Sequence, residues 1–166
     1  MRKRSTPSAG RVRLLIIFFM IALAVSGLTA IPLQWELFTL NRLLGGQSLV
    51  AALWPAFAEW IGRVNSGVQN GYGQYPFLAY GTDWLAFAHV AIAVLFIGPL
   101  RDPVKNLWVI EFGMIACILI IPWTAIFAPL RGVPFFWMLI DMAFGVFGLI
   151  PLWLLRREIL RMSNAP

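Results

Sequence analysis

The chain has 166 residues, 60% of them apolar and 12% charged, with a formal charge of +6; its mean hydropathy is +0.80. Soluble domains carry roughly a quarter of their residues as Asp, Glu, Lys and Arg, so half that share excludes a water-soluble globule, and the high hydrophobicity excludes a disordered chain. One cysteine (Cys117) and one histidine (His89) exclude an internal disulfide framework, a cysteine-based zinc site, a multi-histidine metal site and bis-histidine haem ligation within one chain.

Crossing a hydrocarbon core of about 30 Å takes about 20 apolar residues in a helix. The pattern predicts an all-α membrane protein with four transmembrane helices, forming one integral membrane domain over residues 1–166. The first predicted span is 14–33, behind the basic stretch Met1 to Arg13. Its basic start, apolar middle and Ala22-Leu23-Ala24 also mimic a secretory signal peptide, with residues 1–24 cleaved. The run continues uncharged through Val25 to Leu33, which favours a span.

Residues 34–83 form the large segment between the first two spans. Trp35 to Leu44 predicts a short helix closed by Gly45-Gly46, and Val50, Trp54, Phe57, Ile61 and Val64 repeat with helical spacing. Glu59 and Arg63 stand four apart off that stripe, in the favoured order. Gly67, Gly71 and Gly73, among Asn, Gln and Tyr, predict an irregular loop. With its many aromatics the segment is expected as an amphipathic helical layer on the outer membrane surface, either packed on the bundle as a lid or capping a ligand or partner.

The remaining spans are predicted at 84–100, 107–127 and 135–155, with Pro122 and Pro151 inside them. Of 13 Lys and Arg, ten (residues 2, 3, 4, 11, 13, 101, 105, 156, 157 and 161) fall on one side of this arrangement, and Arg42, Arg63 and Arg131 on the other. The positive-inside rule therefore puts both termini in the cytoplasm and 34–83 outside. The net charge then reads as topology plus attraction to anionic headgroups, and not as nucleic-acid binding.

Ionisable groups inside spans are costly unless paired or hydrated, which makes each a site candidate. His89 and Asp141 are predicted about 9 Å deep from the same side and form one candidate intramembrane polar pair. The pair is read either as an interhelical hydrogen bond or as a proton relay, a polar-ligand site or an axial ligand. Ala86 and Ala93 beside His89, Gly145 and Gly148 after Asp141, and Ala22, Ser26 and Thr29 on the first span give small faces for close helix packing. Glu111 enters from the cytoplasmic side. It forms a candidate polar cluster with Arg101 and Lys105, and the Arg156-Arg157 pair is also in reach. Asp83 and Arg131 form a candidate pair at the outer rim.

No phosphate loop, His-Glu-x-x-His, Gly-x-Ser-x-Gly or Cys-x-x-Cys is present. The expectation is a multi-pass membrane protein acting as an accessory or assembly subunit or as a binder of a small apolar ligand, not an enzyme, with no cofactor or metal. Its expected partners are the lipid bilayer and a membrane protein or second copy of the chain. Two other classes stand beside it: a membrane enzyme or proton-coupled redox protein using His89 and Asp141 on a lipid-soluble substrate, and an oligomeric channel or transporter.

The strings Tyr75-Pro-Phe-Leu-Ala-Tyr-Gly-Thr-Asp-Trp-Leu-Ala-Phe-Ala-His89, Gly98-Pro-Leu-Arg-Asp-Pro103 and Arg131-Gly-Val-Pro-Phe-Phe-Trp137 resemble a group of small bacterial four-span inner-membrane proteins without assigned function. The resemblance covers residues 75–155. It implies a bacterial cytoplasmic membrane and brings no activity with it.

Overall fold

A computed structural model describes residues 9–164, which form eight α-helices and one 3-10 turn and, among the described residues, no strand. Four helical stretches are long and apolar enough to cross a membrane: Ala9–Leu28, Pro76–Arg101, Leu107–Leu130 and Phe135–Ser163. The chain is thus an all-α protein of four candidate spans. Arg2, Lys3 and Arg4, which contribute to the orientation argument, lie outside the described residues.

The chain divides into two compact units, one of the chain up to Ala22 with Ile92 onward, the other Leu23–Ala91. The first unit has a core of Phe96 together with Val12 and Ile16 on α1 (Ala9–Leu28), Val109, Ile110 and Cys117 on α7 (Leu107–Leu130), and Leu152, Leu155 and Ile159 on α8 (Phe135–Ser163). Phe96 precedes the short α6 (Ile97–Arg101) and lies 4.9 Å from the Phe19 ring. The extensive α7–α8 packing rests on small residues. A Cβ on Gly145 would come within 2.5 Å of the Cys117 carbonyl oxygen, and one on Gly148 within 2.9 Å of Cys117 Sγ. Such backbone approach is how helices associate where lipid removes the hydrophobic drive.

The helix ends differ from the predicted spans for local reasons. α1 is already helical at Ala9, the first described residue and five before the predicted start at 14, and Val12 on this added stretch joins Ile16 in the core. It stops at Leu28 and not at residue 33: the Thr29 hydroxyl donates to the Ser26 carbonyl at 2.8 Å, and Pro32 lacks an amide to continue the ladder. α8 runs eight residues past the predicted end at 155, because Ile159 and Met162 extend the buried stripe of Leu152 and Leu155.

In the second unit, α2 (Leu33–Leu44), α3 (Leu49–Leu53) and α4 (Pro55–Gln74) form the segment between the first two candidate spans, and α2 packs chiefly on α4. α2 ends where expected, with Gly46 at φ +62°, a left-handed turn suited to glycine. The single helix expected through Val50 to Val64 is broken at Trp54 (φ −140°, ψ 73°), since Pro55 pushes its predecessor out of helical geometry. The loop expected at 67–73 is instead the last two turns of α4. Its glycines each cost about 1 kcal/mol in a helix, but the half-buried stripe continues from Ile61 through Val64, Val68 and Tyr72. Gln69 Nε2 also ties the helix to α2 by donating to the Gln34 carbonyl at 2.7 Å.

A 3-10 turn (Pro76–Leu78) then leads into α5 (Ala79–Leu95). The Thr82 hydroxyl donates to the Ala79 carbonyl at 2.7 Å, so the Tyr72 hydroxyl, 3.4 Å away, is the donor to Thr82. The helical stretch that carries candidate span two begins at Pro76, eight residues before the predicted Trp84, so its first turns extend beyond the uncharged run.

Candidate functional site

His89 sits on α5 against the end of α1. A Cβ built on Gly27 would clash with His89 Cβ and lie 2.8 Å from Cγ, so the two helices cross with almost no space between them. The small face that receives α5 is Gly27, which is buried, and not the Ala22, Ser26 and Thr29 stripe, which is more open. His89 Nδ1 is 2.8 Å from the Leu85 carbonyl oxygen one turn back. A carbonyl only accepts, so Nδ1 is the donor in this contact.

Asp141 is half-buried on α8, and its side chain makes no hydrogen bond or ion pair within its unit. His89 belongs to the Leu23–Ala91 unit and Asp141 to the other, as do Asp83 and Arg131 respectively. Arg131 is exposed and caps the end of α7.

Glu111 has a defined partner. Arg156 Nε donates to Glu111 Oε1 at 2.9 Å, joining the start of α7 to the end of α8, with both side chains 42% exposed. Antiparallel packing of the two helices places them side by side, which is why Arg156, 45 residues away, reaches the carboxylate. Lys105 is engaged elsewhere, its Nζ 3.5 Å from Asp102 Oδ2, and Arg101 is exposed. The Lys105 backbone N–H donates to Asp102 Oδ1 at 3.1 Å; this bond, aided by the Lys105 ammonium, holds the Asp102 carboxyl below the ordinary carboxylate range. Asn106 staples the same turn by donating to the carbonyls of Gly98 and Asp102. Arg157 stacks 5.6 Å from the Trp153 ring centroid, and Arg161 pairs with Glu158 at 2.8 Å. The cationic residues at this end of the unit are therefore partly neutralised, and Arg13, Arg101 and Arg157 remain outside any carboxylate pair.

An open groove of about 240 Å³ lies on α5, lined by Tyr80, Asp83, Trp84 and Phe87. Its rings form an edge-to-face series, Tyr80 to Trp84 at 5.9 Å and Trp84 to Phe87 at 5.4 Å. Helical spacing makes the series: residues i, i+4 and i+7 share a face, and i+3 places Asp83 beside them. Of these residues the sequence singles out Asp83 alone, as a rim acid. Their common helical face is the signal that identifies the groove.

Among the described residues no three His, Cys, Asp or Glu side chains are grouped to hold a metal ion. No protein family, curated protein or solved structure matches the chain.

Proposed function

We propose that the protein is a multi-pass integral membrane protein that binds a small, lipid-like apolar ligand on the aromatic face of α5, in an accessory and not a catalytic role. The groove lined by Tyr80, Trp84 and Phe87 carries this reading. Ligand sites are mostly apolar with few, well-placed polar groups, and Asp83 is the one charged group here. The intramembrane ionisable groups fit a structural use better than a reactive one: His89 is bonded within its own helix and Glu111 is paired with Arg156.

The proposal includes orientation and compartment. Both termini lie in the cytoplasm of a bacterial cell and α2 to α4 lie on the outer membrane surface. The support is the clustering of Arg13, Arg101, Lys105, Arg156, Arg157 and Arg161 at one end of the first unit, whose core joins the start of α1 to the start of α7 and the end of α8. Trp35, Phe38, Leu43, Leu49, Leu53 and Trp54 are exposed along α2 to α4, as a segment resting on lipid requires.

A second reading has its own observation. Only 17–22% of an apolar 18-residue stretch of each candidate span is buried within the chain, which leaves wide lateral surface for a membrane-protein partner or a second copy.

Lipid extraction and mass spectrometry of detergent-purified protein, with an absorption spectrum, tests the first reading. A lipid-soluble compound retained by the wild type and lost in Phe87→Ser supports it. Nothing retained beyond the empty micelle refutes it, and a Soret band or bound quinone moves the assignment to redox chemistry.

A further inference from the structure

The groove holds a carboxylate among rings, and that combination selects a class of ligand. Asp83 is exposed on α5 and makes no ion pair within its unit. The rings beside it are 54–62% exposed, so their faces are open to a ligand. Indole is the strongest cation–π partner among side chains, and tyrosine and phenylalanine follow. A carboxylate flanked by three such rings complements a cation whose charge is spread over an apolar or N–H-bearing surface. It repels an anion, and it lacks the several oxygen ligands a divalent metal needs.

Position along the helix narrows the source. No Asp, Glu, Lys or Arg occurs in the 17 residues from Trp84 to Leu100, which span about 26 Å as helix, close to a hydrocarbon core of about 30 Å. Asp83 and Arg101 bound that stretch, so Asp83 stands at the hydrocarbon edge, where headgroups lie. Tyr80 sits one turn towards water and Phe87 one turn into the apolar region. A ligand in the groove therefore has its charge at Asp83 and its hydrocarbon beside Phe87.

We propose that Tyr80, Asp83, Trp84 and Phe87 form a binding site for the ammonium headgroup of a zwitterionic membrane lipid. This deepens the reading of the groove as an apolar-ligand site and rests on it. The carboxylate takes the ammonium, Trp84 covers its apolar flank, and Phe87 packs on the glycerol or first methylenes.

The full chain in detergent, equilibrated with equal amounts of phosphatidylethanolamine and phosphatidylglycerol, tests this by native mass spectrometry. Wild type is expected to retain the ethanolamine lipid about tenfold more than the glycerol lipid, the size of one charged cation–π contact with partial desolvation. Asp83→Asn should bring the ratio near one, whereas Asp83→Glu keeps most of it. Size-exclusion profiles matching wild type show that both variants fold. Equal retention of the two lipids, lost together in Phe87→Ser, overturns the headgroup assignment while the apolar-ligand reading stands. Retention of neither lipid overturns both.

Discussion

Glu111 and Arg156 form an ion pair that links two candidate spans, and its energy is open to measurement. Two unit charges 4 Å apart attract by about 4 kcal/mol at an effective dielectric near 20. Exposed pairs in water yield about 0.2–1 kcal/mol, and removing one partner of a fully buried pair costs about 3–5 kcal/mol. With both side chains 42% exposed and a single contact at 2.9 Å, a coupling of about 1–2 kcal/mol lies between these limits. Glu111→Gln keeps an acceptor for Arg156 Nε and should cost under about 1 kcal/mol. Glu111→Leu and Arg156→Leu should each cost about 2 kcal/mol, and the double variant less than their sum by the coupling. The assay is reversible unfolding in mixed micelles, titrated with a denaturing surfactant. Additivity within about 0.3 kcal/mol would refute the reasoning, because it would mean that the contact carries no energy of its own.

Three other outcomes follow from particular contacts. Gly27→Ala puts a methyl on His89 and should cost about 1–3 kcal/mol; Gly67→Ala, with open space around it in α4, should be neutral or stabilising by up to about 1 kcal/mol, and the same unfolding titration ranks the two. The Asp102 carboxyl, held down by the Lys105 amide, should titrate below the ordinary carboxylate range in a carbon-detected NMR titration. Because its folded value is the lower one, the stability it lends is present above the unfolded value and lost as pH falls through the folded one, so titration at or above the ordinary value would contradict the bond. Reporter fusions after residues 70, 103, 132 and 164 should read out, in, out, in; a periplasmic C-terminus would reverse the orientation.

The four candidate spans were legible because a long uncharged run has one main structural meaning in a chain this apolar. Their ends were less so, since Val12, Ile159 and Met162 look like flanking residues until the facing helices are in place. The break at Trp54-Pro55 follows from backbone sterics and is written in the sequence as Pro55, which overrides the apolar period. The helix through Gly67, Gly71 and Gly73 was hidden, because local propensity opposes it and packing on α2 stabilises it. Helix crossings were the hardest feature. Gly27 carries no side chain to signal that His89 packs against it, and the choice of Arg156 for Glu111 depends on which helices are neighbours.

Photolabelling in intact membranes tests the groove most directly. A phospholipid with a diazirine near its glycerol end, crosslinked and mapped by peptide mass spectrometry, reports which aromatic face holds lipid longest. Tyr80, Trp84 and Phe87 are 54–62% exposed, whereas Trp123, Phe144 and Phe147, on α7 and α8, are 67–71% exposed. Exposure alone ranks the second set higher. If α5 carries a ligand site, labelling concentrates on the peptide holding Tyr80, Trp84 and Phe87, and Asp83→Asn weakens it there alone. Labelling that follows exposure, strongest at Trp123, Phe144 and Phe147 and indifferent to Asp83, would contradict the account.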